Sequence, residues 1–284
     1  MLTCSGTCVP ERRDMRTIVI TGGTDGMGAA LVRHFLATGD RVVVIGRSRD
    51  KFEKLIGTAP DRAAAEFVEA DLASVADSRR VVTRLRATYD HIDVLVLAAS
   101  YIRQRRALTS EGHEASWALF FLAKYVFVTG LAALLHESAR PVIVNTAVPG
   151  ARADAIDFDD PAMADGFTFR RSNAQQRRAN ELLGILALED NPNLMYLTWG
   201  PGRLVRTSFA GEAGPAMKVS AAVLGRLLGQ RPDMAVRPII RLVDDPRPGR
   251  FAYRGAREVA LVAGDHDQAD AARLAALAEA ETDG

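Results

Sequence analysis

The feature that most restricts what this chain can fold into is a short apolar run that passes directly into a glycine-spaced turn. Ile18-Val19-Ile20-Thr21 is followed by Gly22-Gly23-Thr24-Asp25-Gly26-Met27-Gly28. A run of β-branched residues of this length suits a strand buried on both faces. Glycines at 22, 26 and 28 allow a tight turn whose backbone can approach a ligand closely. The next segment, from about Gly26 to Thr38, carries Val32, Phe35 and Leu36 on one face and predicts a helix. A helix that starts on such a turn presents unpaired amides and the positive end of its dipole to an anion. The motif therefore predicts a site for the pyrophosphate of a dinucleotide, with Gly22, Thr24, Asp25, Gly26, Met27 and Gly28 as its residues.

Comparable apolar runs recur at 17–20, 41–45, 65–68, 94–97, 142–145 and 194–199, with helical patterns between them. Strands alternating with helices predict an α/β Rossmann fold, a doubly wound parallel sheet of about seven strands with helices on both faces. Ser74, followed three residues later by Asp77, resembles a capping box ahead of Val81, Val82 and Leu85. Helices are expected over 171–189, 215–229, 232–243 and 268–280, and a last strand over 258–262. The longest apolar stretch, 117–135, has the length of a membrane span, but Lys124, Thr129 and Gly130 interrupt it, so a buried helix is expected. Lys124 is expected to snorkel at an interface.

At 284 residues, one sheet with helices on both faces can use the whole chain from residue 15 as a single domain. Residues 1–14 read as a disordered leader, and Met15 is an alternative start. The leader holds both cysteines, Cys4 and Cys8, so neither staples the core, which fits a cytoplasmic protein. A formal charge of +1 argues against a nucleic-acid groove or a polybasic membrane surface and for a small-molecule partner. The five histidines are scattered without metal spacing. Asp157, Asp159 and Asp160 have no histidine or cysteine beside them and read as a solvated loop, so no metal is expected.

The end of the second strand discriminates between the nicotinamide cofactors, because an acid there accepts the ribose hydroxyl and repels a 2′-phosphate. Gly46 takes that place, followed by Arg47 and Ser48, with Arg49 and Lys51 adding positive charge. NADP(H) is the expected cofactor.

The pattern Thr21-Gly-x-x-x-Gly26-x-Gly28 resembles the nucleotide-binding signature of the short-chain dehydrogenase/reductase family, and the resemblance extends over most of the chain from Arg16 onward. Asp71-Leu72 resembles the family's pair beside the adenine. Leu97-Ala98-Ala99-Ser100 stands where the family has Asn-Asn-Ala-Gly, and Pro201-Gly202, continued by Val205-Arg206-Thr207, resembles the turn beside the nicotinamide. Asp157-Phe158-Asp159-Asp160 and Arg178-Ala179-Asn180 are similar to the retinol-dehydrogenase-like branch. The resemblance implies a homodimer or homotetramer, with the helices over 116–135 and 171–189 packed on a second subunit.

The family's catalytic set is a Tyr, a Lys four residues later, a Ser and an upstream Asn. Aligning Arg178-Ala179-Asn180 places Asn173 at the Tyr, Arg177 at the Lys and Phe120 at the Asn. No shift of alignment restores the set: no Tyr lies between Tyr125 and Tyr196, no Lys between Lys124 and Lys218, and no Ser between Ser138 and Ser172. Asn173 cannot titrate. Arg177 remains as a fixed cation for the cofactor ribose, and Tyr101, Thr146 and Asn173 are the candidate acid or hydrogen-bond donors. Three readings stay open. The first is an NADPH-dependent reductase acting on an imine, iminium, activated alkene or carbonyl of a specialised metabolite. The second is a non-redox cyclase, isomerase or dehydratase with an apolar pocket of Phe120, Phe121, Trp199 and Phe209. The third is an inactive NADP-binding sensor or subunit.

Overall fold

The apolar runs line up side by side as one sheet. The structure, a computed structural model, describes residues 15–57, 59, 61–203, 205 and 229–282, so the expectations for the leader, for a helix over 215–229 and for Phe209 lie outside the described residues. The strands are β1 (Thr17–Thr21), β2 (Arg41–Gly46), β3 (Ala65–Glu69), β4 (Val94–Leu97), β5 (Val142–Asn145), β6 (Met195–Gly200), β7 (Gly249–Arg254) and β8 (Arg257–Val259). Their order in the sheet is β3-β2-β1-β4-β5-β6-β7-β8. The first seven are parallel and β8 is antiparallel to β7.

The C-terminal edge corrects the sequence reading. The expected strand over 258–262 is the short β8, shifted toward the N-terminus, and β7 was not foreseen. β7 reads Gly-Arg-Phe-Ala-Tyr-Arg, with arginines where a buried strand would have apolar residues. Gly255, at φ +62°, turns the chain between the two.

Side chains alternate between two cores, as the two-residue period of a strand requires. Val19, Val43, Ile45, Leu95, Leu97 and Ile143 face α3 (Val75–Thr88), α5 (Ala123–Gly130) and α7 (Phe169–Asp190). Ile18, Ile20, Val42, Val44, Val96, Val144 and Trp199 face α1 (Gly26–Ala37) and the helical segment over 232–244.

Helix starts follow local chemistry. Ser74 caps α3 by accepting from Asp77 N at 3.1 Å. The Asp77 carboxylate turns instead to Asp71 N and Arg80, so the expected box closes on one side only. Glu111, far away in sequence, completes the cap by accepting from Val75 N at 2.7 Å and Ala76 N at 3.1 Å. The expected helix over 232–243 is two, α8 (Pro232–Ala235) and α9 (Arg237–Asp244). Pro238, in the first turn of α9, cannot donate an amide to a continuous ladder.

The apolar stretch over 117–135 is not one helix. α4 (Ala115–Trp117), a π turn (Ala118–Leu122), α5 and α6 (Ala132–His136) follow one another. Among the described residues no helix is long and apolar enough to cross a membrane. The last helix, α10 (Asp267–Thr282), packs on α7 and on the π turn and buries Ala271, Leu274 and Ala278 completely. Trp117 Nε1 donates to Glu281 at 2.8 Å, and Arg178 is ion-paired with Asp267. The helices to which the family resemblance assigns a second subunit thus carry the chain's own C-terminal helix.

Candidate active site

The crevice between β1 and β4 lies where the strand order reverses, at the carboxyl ends of the strands, the place where open α/β sheets bind ligands. Three contacts build it. Gly22 N donates to Ile45 O at 2.8 Å, tying the turn to β2. Thr21 Oγ1 donates to Val96 O and accepts from Ala98 N at 3.1 Å and Ala99 N at 3.3 Å, tying the tip of β1 to the loop after β4. A Cβ on Gly22, whose φ is +67°, would stand 2.6 Å from Ala99 Cα, and one on Gly28 would stand 2.3 Å from Gly22 O. The chain's own backbone demands these glycines, and their close approach seats the turn flat at the start of α1. Asp25 caps α1, accepting from Gly26 N at 2.7 Å. A Cβ on Gly46 would stand 3.3 Å from Thr24 Cγ2, which places Thr24 over the end of β2. This cradle of tightly packed glycine backbone ahead of a helix N-terminus fits a dinucleotide pyrophosphate. Met27 lines its inner side against the α1 core.

The three cations after β2 have different surroundings. Lys51 Nζ bonds Asp25 Oδ2 at 2.9 Å, with both side chains about half exposed, so it neutralises the acid of the turn instead of adding charge to a 2′-phosphate pocket. Arg49 lies over the Phe67 ring at 5.1 Å. Arg47 lies over Tyr101, 5.5 Å from the ring centroid. Ser48 caps α2 (Arg49–Ile56), accepting from Lys51 N at 3.3 Å.

Further along the crevice, Asp71 is exposed and its Oδ1 accepts from Ala73 N at 3.1 Å. Leu72 is 5% exposed and its side chain packs in the α3 core. Ser100 is exposed at the end of the β4 loop. Pro201 and Gly202 leave β6 beside the β7 turn, where a Cβ on Gly202 would stand 3.4 Å from Gly255 Cα.

The candidate catalytic residues do not converge. Thr146 Oγ1 donates to Leu97 O at 3.1 Å, which commits its proton to the backbone and leaves only lone pairs for a substrate. Asn173 is exposed on α7, one turn before Arg177. Arg177 donates through Nε to Val148 O at 2.6 Å and through Nη2 to Pro149 O at 2.7 Å, and Arg254 donates to the same Pro149 O at 3.0 Å. Burial, then the charge of Arg254, hold the Arg177 pKa below its ordinary value. Two guanidinium groups therefore clamp the loop after β5 where the family alignment expects serine chemistry.

Sequence reasoning missed the polar network beneath this loop. Lys124 is 4% exposed, and its Nζ donates to Asn145 Oδ1 at 2.8 Å. Asn145 Nδ2 donates to Asn180 Oδ1 at 2.6 Å and to the Tyr196 hydroxyl at 2.8 Å. Tyr196 in turn donates to Asn180 O. Asn180 Nδ2 donates to Phe120 O at 2.8 Å, a carbonyl within the π turn. Lys124 is thus a core residue and does not snorkel; burial pushes its pKa down to about 7. The signal in sequence was a lone lysine inside an apolar run that ends under a strand tip carrying asparagine.

One other expectation is corrected. Phe121 and Trp199 are both fully buried, but they sit in the cores on opposite faces of the sheet, so they cannot line one pocket. The acidic loop is structured through its own backbone, with Asp157 accepting from Asp159 N and Asp160 N. A surface cavity of about 520 Å³ beside it is walled by paired charges, Arg152 with Asp154, Arg171 with Asp157 and Arg273 with Asp159.

Comparison with known proteins agrees with this geometry. The family model described as short chain dehydrogenase matches residues 16–156. A Streptomyces sp. (strain C5) protein, named as a candidate daunorubicin C-13 ketoreductase, is 31% identical over 204 residues, covering 68% of this chain and 67% of its own. A human polyprenol dehydrogenase is 24% identical over 235 residues, covering 79% of this chain and 71% of its own. Several other curated relatives are matched over only 50% to 59% of their length. An archaeal alcohol dehydrogenase from Thermococcus sibiricus, solved with 5-hydroxy-NADP, superposes with a TM-score of 0.60 at 18% identity, covering 87% of this chain and 100% of that one. With its strand order, its glycine cradle at the β1/β4 crevice and these matches, the chain belongs to the short chain dehydrogenase family of oxidoreductases.

Proposed function

We propose that this protein is an NADP(H)-dependent reductase whose active site delivers the proton by a route other than the family's Tyr-Lys pair. The observation that carries the reading is the pairing of an intact cradle with a cationic β2 end. Gly22 and Gly28 are packed to contact distance against the chain's own backbone, and Arg47 follows Gly46 where an NAD-specific site would hold an acid. Gly22, Gly26, Gly28, Ala98, Ala99 and the α1 amides would hold the pyrophosphate and adenosine, and Pro201 and Gly202 would flank the nicotinamide. A bound nicotinamide supplies hydride chemistry.

The residues of this chain define what else the reaction can draw on. Arg177 and Arg254 fix the loop from Val148 to Gly150 and keep positive charge beside it. Asn173 can donate a hydrogen bond to a substrate heteroatom but cannot supply a proton. Thr146 is committed to Leu97 O. Such a site favours an acceptor that needs little acid assistance, such as an iminium, an activated alkene or a carbonyl activated by its own substituents. The ketoreductase relative supports a carbonyl of a specialised metabolite as one member of that class. The non-redox reading loses the pairing of Phe121 with Trp199, because the sheet separates them.

The test is a panel of imines, enones and activated ketones incubated with purified protein, following NADPH absorbance and product together. Stoichiometric loss of NADPH with reduced product is the expected result. Product formed without NADPH consumption, or protein that binds no NADPH, would refute the proposal.

A further inference from the structure

Two guanidinium groups converge on one carbonyl at the carboxyl end of the sheet. Arg177 Nη2 donates to Pro149 O at 2.7 Å, and Arg254 Nη2 donates to the same oxygen at 3.0 Å. Gly150, at φ +89°, leaves the room for both, since a Cβ there would stand 3.2 Å from Arg254 Nη2 and 4.0 Å from Arg177 Nη2. Like charges this close repel, and the Arg177 pKa is held down first by burial and then by the charge of Arg254. Glu181, the acid that faces them, is committed elsewhere: its Oε1 accepts from Gly150 N at 2.7 Å and its Oε2 pairs with Arg178 at 3.4 Å. Asp267 is likewise paired with Arg178. Among the described residues no carboxylate lies within ion-pair distance of Arg177 or Arg254. Arg257 stands opposite Arg254 in the β7–β8 ladder and adds a further positive charge on the same face, while its neighbour Glu258 bonds Tyr253 and Arg247. Each guanidinium has five N–H donors, and the bonds to Val148 O and Pro149 O leave Nη1 of Arg177 and both Nε and Nη1 of Arg254 for another acceptor.

The pair stands beside the turn proposed to flank the nicotinamide. Val148 packs on the tip of β6, where a Cβ on Gly200 would stand 3.0 Å from Val148 Cγ1, directly before Pro201 and Gly202. Arg254 ends β7, four places from β1 in the sheet order, roughly 19 Å at the usual strand spacing. The glycine cradle for the cofactor's pyrophosphate opens over β1, so those phosphates do not neutralise the arginines, and the second ligand of the site is left to do so. We propose that Arg177 and Arg254 together hold an oxyanion of the substrate, a carboxylate or a phosphate, so that the acceptor reduced here carries a negative charge. The planar forks of the two arginines suit the oxygens of either group. The proposal rests on the NADP(H)-dependent reductase reading and adds to it the charge class of the substrate, with Arg254 as a specificity residue outside the family's catalytic set.

The test titrates the full chain, first with NADP+ and then, once saturated with NADP+, with benzoate, phenyl phosphate and the uncharged benzamide, following binding by calorimetry. The two anions should bind, the tighter of them naming the group, and benzamide should bind about tenfold more weakly or worse, on the order expected for charge-assisted hydrogen bonds. Arg254→Gln keeps a donor for Pro149 O and removes the charge; it should lower anion affinity about tenfold and leave NADP+ affinity unchanged. Arg177→Ala should lower anion affinity at least as much, and thermal unfolding of both variants shows whether a lost affinity reflects a lost fold. Benzamide binding as well as benzoate while NADP+ binds normally overturns the proposal and leaves the reductase reading standing. Benzoate that competes with NADP+ also overturns it, because the anion would then occupy the cofactor's place. A protein that binds no NADP+ overturns both.

Discussion

Replacing Lys124 by methionine should stabilise this protein near neutral pH, by an amount that disappears in alkali. The lysine is 4% exposed, its Nζ has Asn145 Oδ1 as hydrogen-bond partner, and burial pushes its pKa from 10.5 down to about 7. Above pH 10.5 the amine is neutral in both the folded and the unfolded chain and has no effect on their balance. As the pH falls from 10.5 to 7, the unfolded chain takes up a proton that the folded chain refuses, so stability is lost across that window and stays level below it. At about 1.4 kcal/mol for each pH unit, the penalty reaches ~5 kcal/mol at neutrality. Methionine fills similar volume without the amine, and Asn145 Oδ1 keeps its bond from Ala147 N at 3.1 Å. Subtracting ~1 kcal/mol for the lost hydrogen bond leaves a gain of ~4 kcal/mol at pH 7. Urea unfolding of wild type and Lys124→Met at pH 7 and pH 10 reads the difference directly, and the advantage of the variant should shrink steadily between them. A variant that is less stable than wild type by the same amount at both values would refute the reasoning and show that the amine is bonded as a structural group whose charge does not matter.

Other outcomes follow from the same structure. Gly22→Ala should abolish nucleotide binding and cost ~2–4 kcal/mol, because the new Cβ meets Ala99 Cα at 2.6 Å on a residue with φ +67°; calorimetry with NADPH and urea unfolding check both parts. Glu111→Ala should cost ~1–2 kcal/mol by uncapping α3 from a distance. Burial pushes the Glu111 pKa up, but bonds from Ser74, Val75 and Ala76 outweigh it and hold the pKa below 4.5, so the carboxylate's contribution should be present above pH 4.5 and fade as the pH falls through the lower folded value. Removing α10 should expose the faces of α7 and the π turn that Ala271, Leu274 and Ala278 cover, and light scattering should then show a larger mean mass per chain than the full-length protein gives.

The site was legible in sequence where backbone geometry dictates residue type. Glycine at 22 and 28 is forced by contacts under 3 Å to the chain itself, so the spacing could be read without coordinates. The same holds for β1 to β6, whose apolar runs are buried on both faces. β7 escaped because Arg250 and Arg254 break its apolar pattern. Local sequence aims Lys51 at a phosphate, yet its ammonium is bound to Asp25, 26 residues away. Tyr101 was weighed as an acid because it follows a strand tip; only the fold shows Arg47 and Arg103 on its ring.

The sequence by itself determined the strand-turn-helix cradle, the parallel sheet and the lack of any Tyr between Tyr125 and Tyr196 or Lys between Lys124 and Lys218, because each depends on local residue types or on their being missing from a stretch. The tertiary structure alone decided which groups meet: Lys124 under Asn145, Phe121 and Trp199 on opposite faces, and α10 over α7. Those pairings join residues tens of positions apart or more, and their energies come from burial and charge at distances of a few ångströms, which no local pattern encodes.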